Sequence, residues 1–186
     1  GWGAMAGISA ALLAQAGFTG APALIIVSDE AAEIWQDLGS RWHIIGQYFK
    51  PHAVCRWAQP AIQAVLTIQK MHRLTPQVVK RIKVFTFHEA VRLNCRFPET
   101  TEEAQYSLPF PLAAALVHGR LGVSELSDNA LKHPVVIQLS ERVELIEDKE
   151  FSRRFPSRRF ARVEVETYDG DLFDSGDIEP TWETSS

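Results

Sequence analysis

Lys50, His52, Cys55 and Arg56 fall within seven residues, inside the run YFKPHAVCRWAQ from Tyr48 to Gln59. An arginine there would offer a two-pronged fork to a carboxylate, and a lysine a point charge that steadies a developing enolate. The run sits where an expected extended segment, Ile44 to Phe49, gives way to an expected helix, Trp57 to His72. Lys50-Pro51 ends the first, because the residue before a proline is pushed out of the α region. Such a junction holds side chains at the edge of a packed unit, where they meet a ligand while the scaffold fixes them. The residues alone leave a second reading open. Lys50 and Arg56 also suit plain solvation, Cys55 a small buried apolar position, and Trp57 the core.

Other chemistries fail on spacing. The acidic run DGDLFDSGDIEP places Asp169, Asp171 and Asp174 close together, but a calcium loop needs glycine and glutamate where this chain has Asp174 and Pro180. No histidine pairs with another His, Cys or Asp at ligand spacing, and no Walker A, GxGxxG, HExxH or GxSxG run occurs, so neither metal nor nucleotide cofactor is expected. Cys55 and Cys95 form no CxxC, which suggests neither a disulfide framework nor a zinc site and makes a reducing cytoplasm the default compartment. A net charge of -4 argues against a general nucleic-acid binder. Arg153, Arg154, Arg158, Arg159 and Arg162 form one basic cluster, which the acidic stretch from Glu164 to Glu179 is expected to offset. Residues 1–28 carry no charge, but their glycines, Ser9 and Gln15 make them too weakly hydrophobic for a membrane span, and a helix apolar on all sides is usually buried in a larger helical core.

The elements that would carry these residues follow from periodicity and punctuation. Ala4–Ala16 reads as a helix stopped by Gly17, and Ser28 as the cap of a second helix continuing through Leu38 to Gly39. Pro60 suits the first turn of the helix over 57–72, whose apolar face is Ala61, Ile62, Val65, Leu66 and Ile68. Thr75-Pro76 would open a short helix into Arg81, followed by a strand from Ile82 to Phe87. A helix from Thr100 to His118 should kink or break at Pro109 and Pro111. Short helices are expected over Ser124–Leu131 and Pro134–Leu139, and strands over Arg142–Ile146 and Ala161–Tyr168. From the last, a two-residue turn at Asp169-Gly170 would return through Leu172 and Phe173. The tail from Ile178 lacks periodicity and is expected to be loose. The class is α+β.

Four stretches, in order, resemble the second half of an MmgE/PrpD protein: GAMAGISAALLAQAGFTGAP, YFKPHAVCRWAQPAIQAV, TEEAQYSLPFPLAAALVHG and RRFARVEVETYDG. The resemblance implies the end of a helical domain over 1–45, an α+β lid domain over 46–179 and a loose tail over 180–186. It also implies a homodimer that works without metal or organic cofactor. The family includes 2-methylcitrate dehydratases, cis-aconitate decarboxylases and iminodisuccinate epimerases, whose shared chemistry is proton transfer next to a carboxylate of a small polycarboxylate substrate.

Carried over by position, Lys50 matches the family's substrate-side lysine and, with Cys55, forms the expected catalytic pair. Arg56, His52, Gln59 and Phe110 are the expected substrate-side residues. Two departures stand out. Gln59 replaces a frequent histidine, and Phe110, in SLPF from Ser107, replaces a frequent tyrosine that could donate a hydrogen bond. The resemblance places the family's catalytic aspartate, its histidines and a further lysine upstream of Gly1. The expectation is part of a lyase or isomerase; the alternative is a non-catalytic, lid-like module for dimerisation or ligand binding.

Overall fold

In the computed structural model, which describes residues 1–180, the alanine- and leucine-rich start of the chain forms helix α1, Trp2–Gln15. Gly17 ends it at φ +88°, a left-handed conformation that costs glycine little. The Gly17 N–H then reaches the Ala14 carbonyl and the Phe18 N–H the Leu13 carbonyl, both at 3.0 Å, the paired bonds of a Schellman cap. No residue of α1 is buried, and Trp2, Met5, Ile8, Leu12 and Leu13 are all exposed. The Ser28 hydroxyl accepts from the Ala31 N–H at 3.3 Å and opens a 3-10 turn that runs into α2, Ala32–Trp35. This helix stops short of Leu38. The Ser40 N–H and hydroxyl both donate to the Asp37 carbonyl, closing a turn with Gly39 at φ +83°.

Ile44–Phe49 is not extended as expected: His43–Gly46 forms a 3-10 turn, with the Ile45 N–H on the Trp42 carbonyl and the Gln47 N–H on the Ile44 carbonyl, each at 3.1 Å. A strand needs a neighbour for its backbone groups, and the sheet is built from later residues, so this segment satisfies itself locally. The chain divides into two units, Gly1–Gln47 and a second that begins at Tyr48.

In the second unit a 3-10 turn at Arg56–Ala58 leads into α3, Gln59–His72, with Pro60 in the first turn, where its missing N–H costs nothing. Ala61, Ile62, Ala64, Val65 and Ile68 form its buried face, while Leu66 is only half-buried. The expected helix into Arg81 is a single 3-10 turn, Pro76–Val78, and strand β1 starts early, spanning Val79–Thr86. Pairing of Val79 and Arg81 with a later strand outweighs the local helix signal. Two short helices without a periodic signal are added: α4, His88–Val91, and, further along, one capped by Asp148.

The stretch over 100–118 breaks as its prolines predict, into α5, Thr101–Gln105, and α6, Pro109–His118. The span Ser124–Leu131 forms two 3-10 turns, Ser124–Leu126 and Ala130–Lys132, where helix was expected. Then come α7, Pro134–Glu141; β2, Val143–Glu147; α8, Lys149–Arg154; β3, Ala161–Thr167; and β4, Leu172–Asp174. The β3–β4 connection has four residues, Tyr168 to Asp171, where a two-residue turn was expected: the Thr167 N–H bonds the Asp171 carbonyl at 2.9 Å, and Gly170 takes φ +92°.

The strands lie in the order β2-β1-β3-β4, with β1 parallel to β2 and antiparallel to β3. Val79, Ile82, Val84, Ala161, Val163 and Val165 bury one face, against which α3 and α6 pack. The other face carries cross-strand pairs of opposite charge, Arg81 with Glu166 and Lys83 with Glu164. A smaller core gathers Phe87, Ala90, Phe151 and Phe160, with Phe155 stacked on Phe87 at 4.8 Å. This is an α+β fold with one mixed sheet.

The acidic stretch offsets only part of the arginine cluster, at Arg158 and Arg162, while Arg153 and Arg154 pair with Glu150 outside it. Arg154 bonds Glu150 at 3.0 Å, Arg158 Nε lies 3.0 Å from Glu179, and Arg162 sits 3.9 Å from Asp177. The start of the expected loose tail is held, since Ile178 and Ala161 exchange backbone bonds of 3.0 and 2.8 Å; the rest of that tail, 181–186, lies outside the described residues. Among the described residues no helix is long and apolar enough to cross a membrane.

Candidate functional site

The loop between Gln47 and α3 is pinned by its own polar groups. The Lys50 ammonium donates to the Val54 carbonyl at 3.0 Å, which holds the loop in a tight curl. The buried Gln59 amide donates to the His52 carbonyl at 2.9 Å and the Val54 carbonyl at 3.1 Å. The first turn of α3 therefore clamps the loop that precedes it. The Arg56 guanidinium lies over the Tyr48 ring, 4.3 Å from its centre, so the cation is stacked in place on an aromatic face.

Across from this loop is a second one, Gly119–Glu125, that comes after α6. Gly119 at φ +69° turns the chain out of the helix. Glu125, only 5% exposed, organises this second loop: its carboxylate accepts from the Gly122 N–H at 2.8 Å, the Ser124 hydroxyl at 2.9 Å and Arg120 Nε at 2.9 Å. Burial would push its pKa up, but these donors together outweigh burial and hold it below the ordinary carboxylate value. A Cβ on Gly122 would approach that carboxylate to 3.3 Å, so the loop closes most easily over glycine. The two loops are joined by His52, whose Nδ1 lies 3.2 Å from the Leu121 carbonyl.

Between the loops lies an open cavity of about 610 Å³, lined by Tyr48, Lys50, His52 and Arg56 on one side and Gly122 and Val123 on the other. A neighbouring cavity of about 440 Å³ shares Pro51, His52 and Gly122 with it and adds Arg120 and Glu125. The structure thus brings Lys50, His52 and Arg56 to one surface. It does not bring the other three expected residues there. Cys55, half-buried, is tied to α5 through its N–H on the Gln105 carbonyl at 2.8 Å. Gln59 lies beneath the loop, and Phe110 is fully buried in the core.

The SLPF motif has a local structural job. The Ser107 hydroxyl donates to the Cys95 carbonyl at 2.5 Å and accepts from the Phe110 N–H at 3.3 Å, so it caps α6 where prolines open the helix. Ser107→Ala is expected to cost about 1–2 kcal/mol, read as a lower urea midpoint. Glu125 and Leu121 were not singled out from sequence. The only signal near them is the spacing of Gly119 and Gly122 around Arg120-Leu121, which matches no motif. Among the described residues, no three His, Cys, Asp or Glu groups come together as a metal site.

The geometry suits an anionic ligand, with two cations on one wall beside an imidazole. Among curated proteins the chain is similar to the mitochondrial 2-methylcitrate dehydratase of Yarrowia lipolytica, with 27% identity over 130 residues. That match covers 65% of this chain and 25% of the relative, so the chain spans about a quarter of the length of the curated relative it matches. The model of the MmgE/PrpD C-terminal domain matches residues 52–180, starting at His52 and so taking in both loops from that residue on, and the chain belongs to the MmgE/PrpD family.

Proposed function

We propose that this chain supplies one wall of the active site of a lyase or isomerase that moves a proton next to a carboxylate of a small di- or tricarboxylate, without metal or organic cofactor. The observation that carries the reading is the placement of Lys50 and Arg56 on one wall of a single cavity, Arg56 fixed by its stack on Tyr48 and Lys50 by its bond to Val54. Arg56 would hold a substrate carboxylate, and Lys50 the oxygen that gains charge as the proton leaves. Within this chemistry, dehydration is the first reaction to try and 2-methylcitrate the first substrate, because the named relative is a 2-methylcitrate dehydratase. Acid and base groups that the resemblance expects upstream would complete the site in a homodimer, and the two free cysteines fit a reducing compartment such as the cytoplasm.

The test is Lys50→Ala in a protein that also carries that upstream portion. Losing one donor to a developing oxyanion is expected to lower kcat by about 10²- to 10³-fold. Turnover at the unsubstituted rate would sink the assignment.

A second reading is favoured by α1, whose apolar side chains are exposed on every face. On this reading the chain is a non-catalytic, lid-like module that buries α1 against a partner. Size-exclusion chromatography separates the two. A well-behaved folded oligomer of the 186-residue chain supports the module, and aggregation supports the enzyme part.

A further inference from the structure

A cavity of about 450 Å³ at the starts of β1 and β2 shares no lining residue with the two described above. Four cations line it, Lys80, Arg81, Arg96 and Arg142, against two carboxylates, Glu141 and Glu144. This local excess of positive charge sits on a chain whose net charge is -4. Like charges gathered in one place repel, so the fold has to hold them there.

Two devices do so. The first is a β-bulge: Val79 pairs with Thr167 and Arg81 with Glu166, which leaves Lys80 as an extra residue in β1. Strand alternation would send Lys80 and Arg81 to opposite faces, but the bulge lets both reach Glu166, Lys80 Nζ at 2.6 Å and Arg81 Nη2 at 2.7 Å. Two cations thus share one carboxylate. The second device is anchoring on the backbone. Arg142 Nη1 donates to the Val79 carbonyl at 2.6 Å, while Arg96 donates through Nη2 to the Val143 carbonyl at 2.9 Å and through Nη1 to Asn94 Oδ1 at 2.8 Å. Both arginines are half-buried, and neither has a bonded carboxylate among the described residues. Their guanidinium planes are fixed while no acid takes up their charge.

We infer that this cavity is a second ligand site, independent of the polycarboxylate reading, and that it takes a small phosphate-bearing anion. A phosphate group carries three strong acceptor oxygens that point in different directions, whereas the two oxygens of a carboxylate lie in one plane and match a single arginine fork. Here the donors come from three separate parts of the chain: β1, the connection between α4 and α5, and the residue after α7. Arg96 and Arg142 clamp the phosphate oxygens, and Lys80 adds a point charge beside them. Glu141 and Glu144 lower the positive charge of the cavity without bonding either fork. They favour a small anion that reaches the forks over a long polyanion, which would have to lie across both carboxylates.

The test is calorimetry and amide NMR on the 186-residue chain, with inorganic pyrophosphate as the probe. One pyrophosphate is expected to bind per chain, more weakly as salt rises, with the amide shifts gathered at 79–82, 94–97 and 141–144. Arg96→Gln should weaken binding about 10-fold or more. Arg96→Lys should lose nearly as much, because it keeps the charge but not the fork. Lys80→Gln, which disturbs no bond to a backbone carbonyl, keeps the test sound if an arginine variant misfolds, and should weaken binding about 5-fold. Lys50→Ala should bind pyrophosphate as the unsubstituted chain does. No binding, shifts centred on the loop before α3, loss of binding in Lys50→Ala, or undiminished binding by the folded Arg96 and Lys80 variants overturns the site. Citrate bound at the same amides as tightly as pyrophosphate overturns the assignment to phosphate.

Discussion

Phe110→Ala is expected to lower stability by about 3–5 kcal/mol, seen as a drop in the urea midpoint with little change in slope. Phe110 is fully buried in the main core, near the start of α6, and shares that core with Ile62, Val65 and Leu116. Removing a ring there loses its transfer free energy and leaves a cavity that neighbours held in two packed helices cannot fill. Its backbone adds to the constraint, since the Phe110 N–H donates to Ser107. The variant also tests what the position does. If Phe110 serves only packing, a chain that still folds should bind 2-methylcitrate with unchanged affinity. A Phe110→Tyr variant is the complement: it would bury a hydroxyl among apolar neighbours, at about 1–3 kcal/mol if no partner is found. A Phe110→Ala variant as stable as the original chain would remove Phe110 from the core.

Glu125→Ala should cost about 2–3 kcal/mol at neutral pH, because it strips the charged acceptor from the Gly122 N–H, the Ser124 hydroxyl and Arg120 at once. The effect depends on pH with a definite sign. The folded carboxyl has a lowered pKa, so its stabilisation is fully present above the unfolded value and is lost as pH falls through the folded one. The gap between the original chain and Glu125→Ala should be widest near pH 7 and should narrow steadily below about pH 4. Urea titrations at several pH values measure it. Binding should weaken too, because Gly122 and Val123 line the cavity and Leu121 holds His52. A pH-independent gap would mean that the carboxylate braces nothing.

The local signals that proved most legible were those in which one residue dictates the backbone. Gly17 ends α1, Ser28 opens the turn before α2, Pro60 enters α3, and Pro109 splits α5 from α6. Each acts within a few residues, so its outcome does not depend on distant chain. Long-range pairing was less legible. The start of β1 moved to Val79 because β3 offers it partners, and Ile44–Phe49 was left without a strand because nothing pairs there. In the candidate site, residue type and spacing brought out Lys50, His52 and Arg56, which do share a cavity. Cys55 was brought out by the same spacing but is half-buried and does not line that cavity, and a small buried apolar position was the other reading its type allowed. Gln59 and Phe110 came from resemblance, and their burial could not be read from sequence order. Glu125 was missed because its importance lies in three donors that converge only after folding.

The order of the strands bears on how the chain comes to be folded. β1 lies at the centre, but Ile82 finds its two neighbours at Val143 and Val165, so both pairings must close long stretches of chain before they gain anything. The bonds that shape the loop before α3 run instead between near neighbours, Lys50 to Val54 and Gln59 to His52 and Val54. During synthesis or refolding, the cationic loop can thus take its curl early. The wall that faces it waits for α6, and the sheet beneath both forms last, once β3 has emerged to cover the open edge of β1.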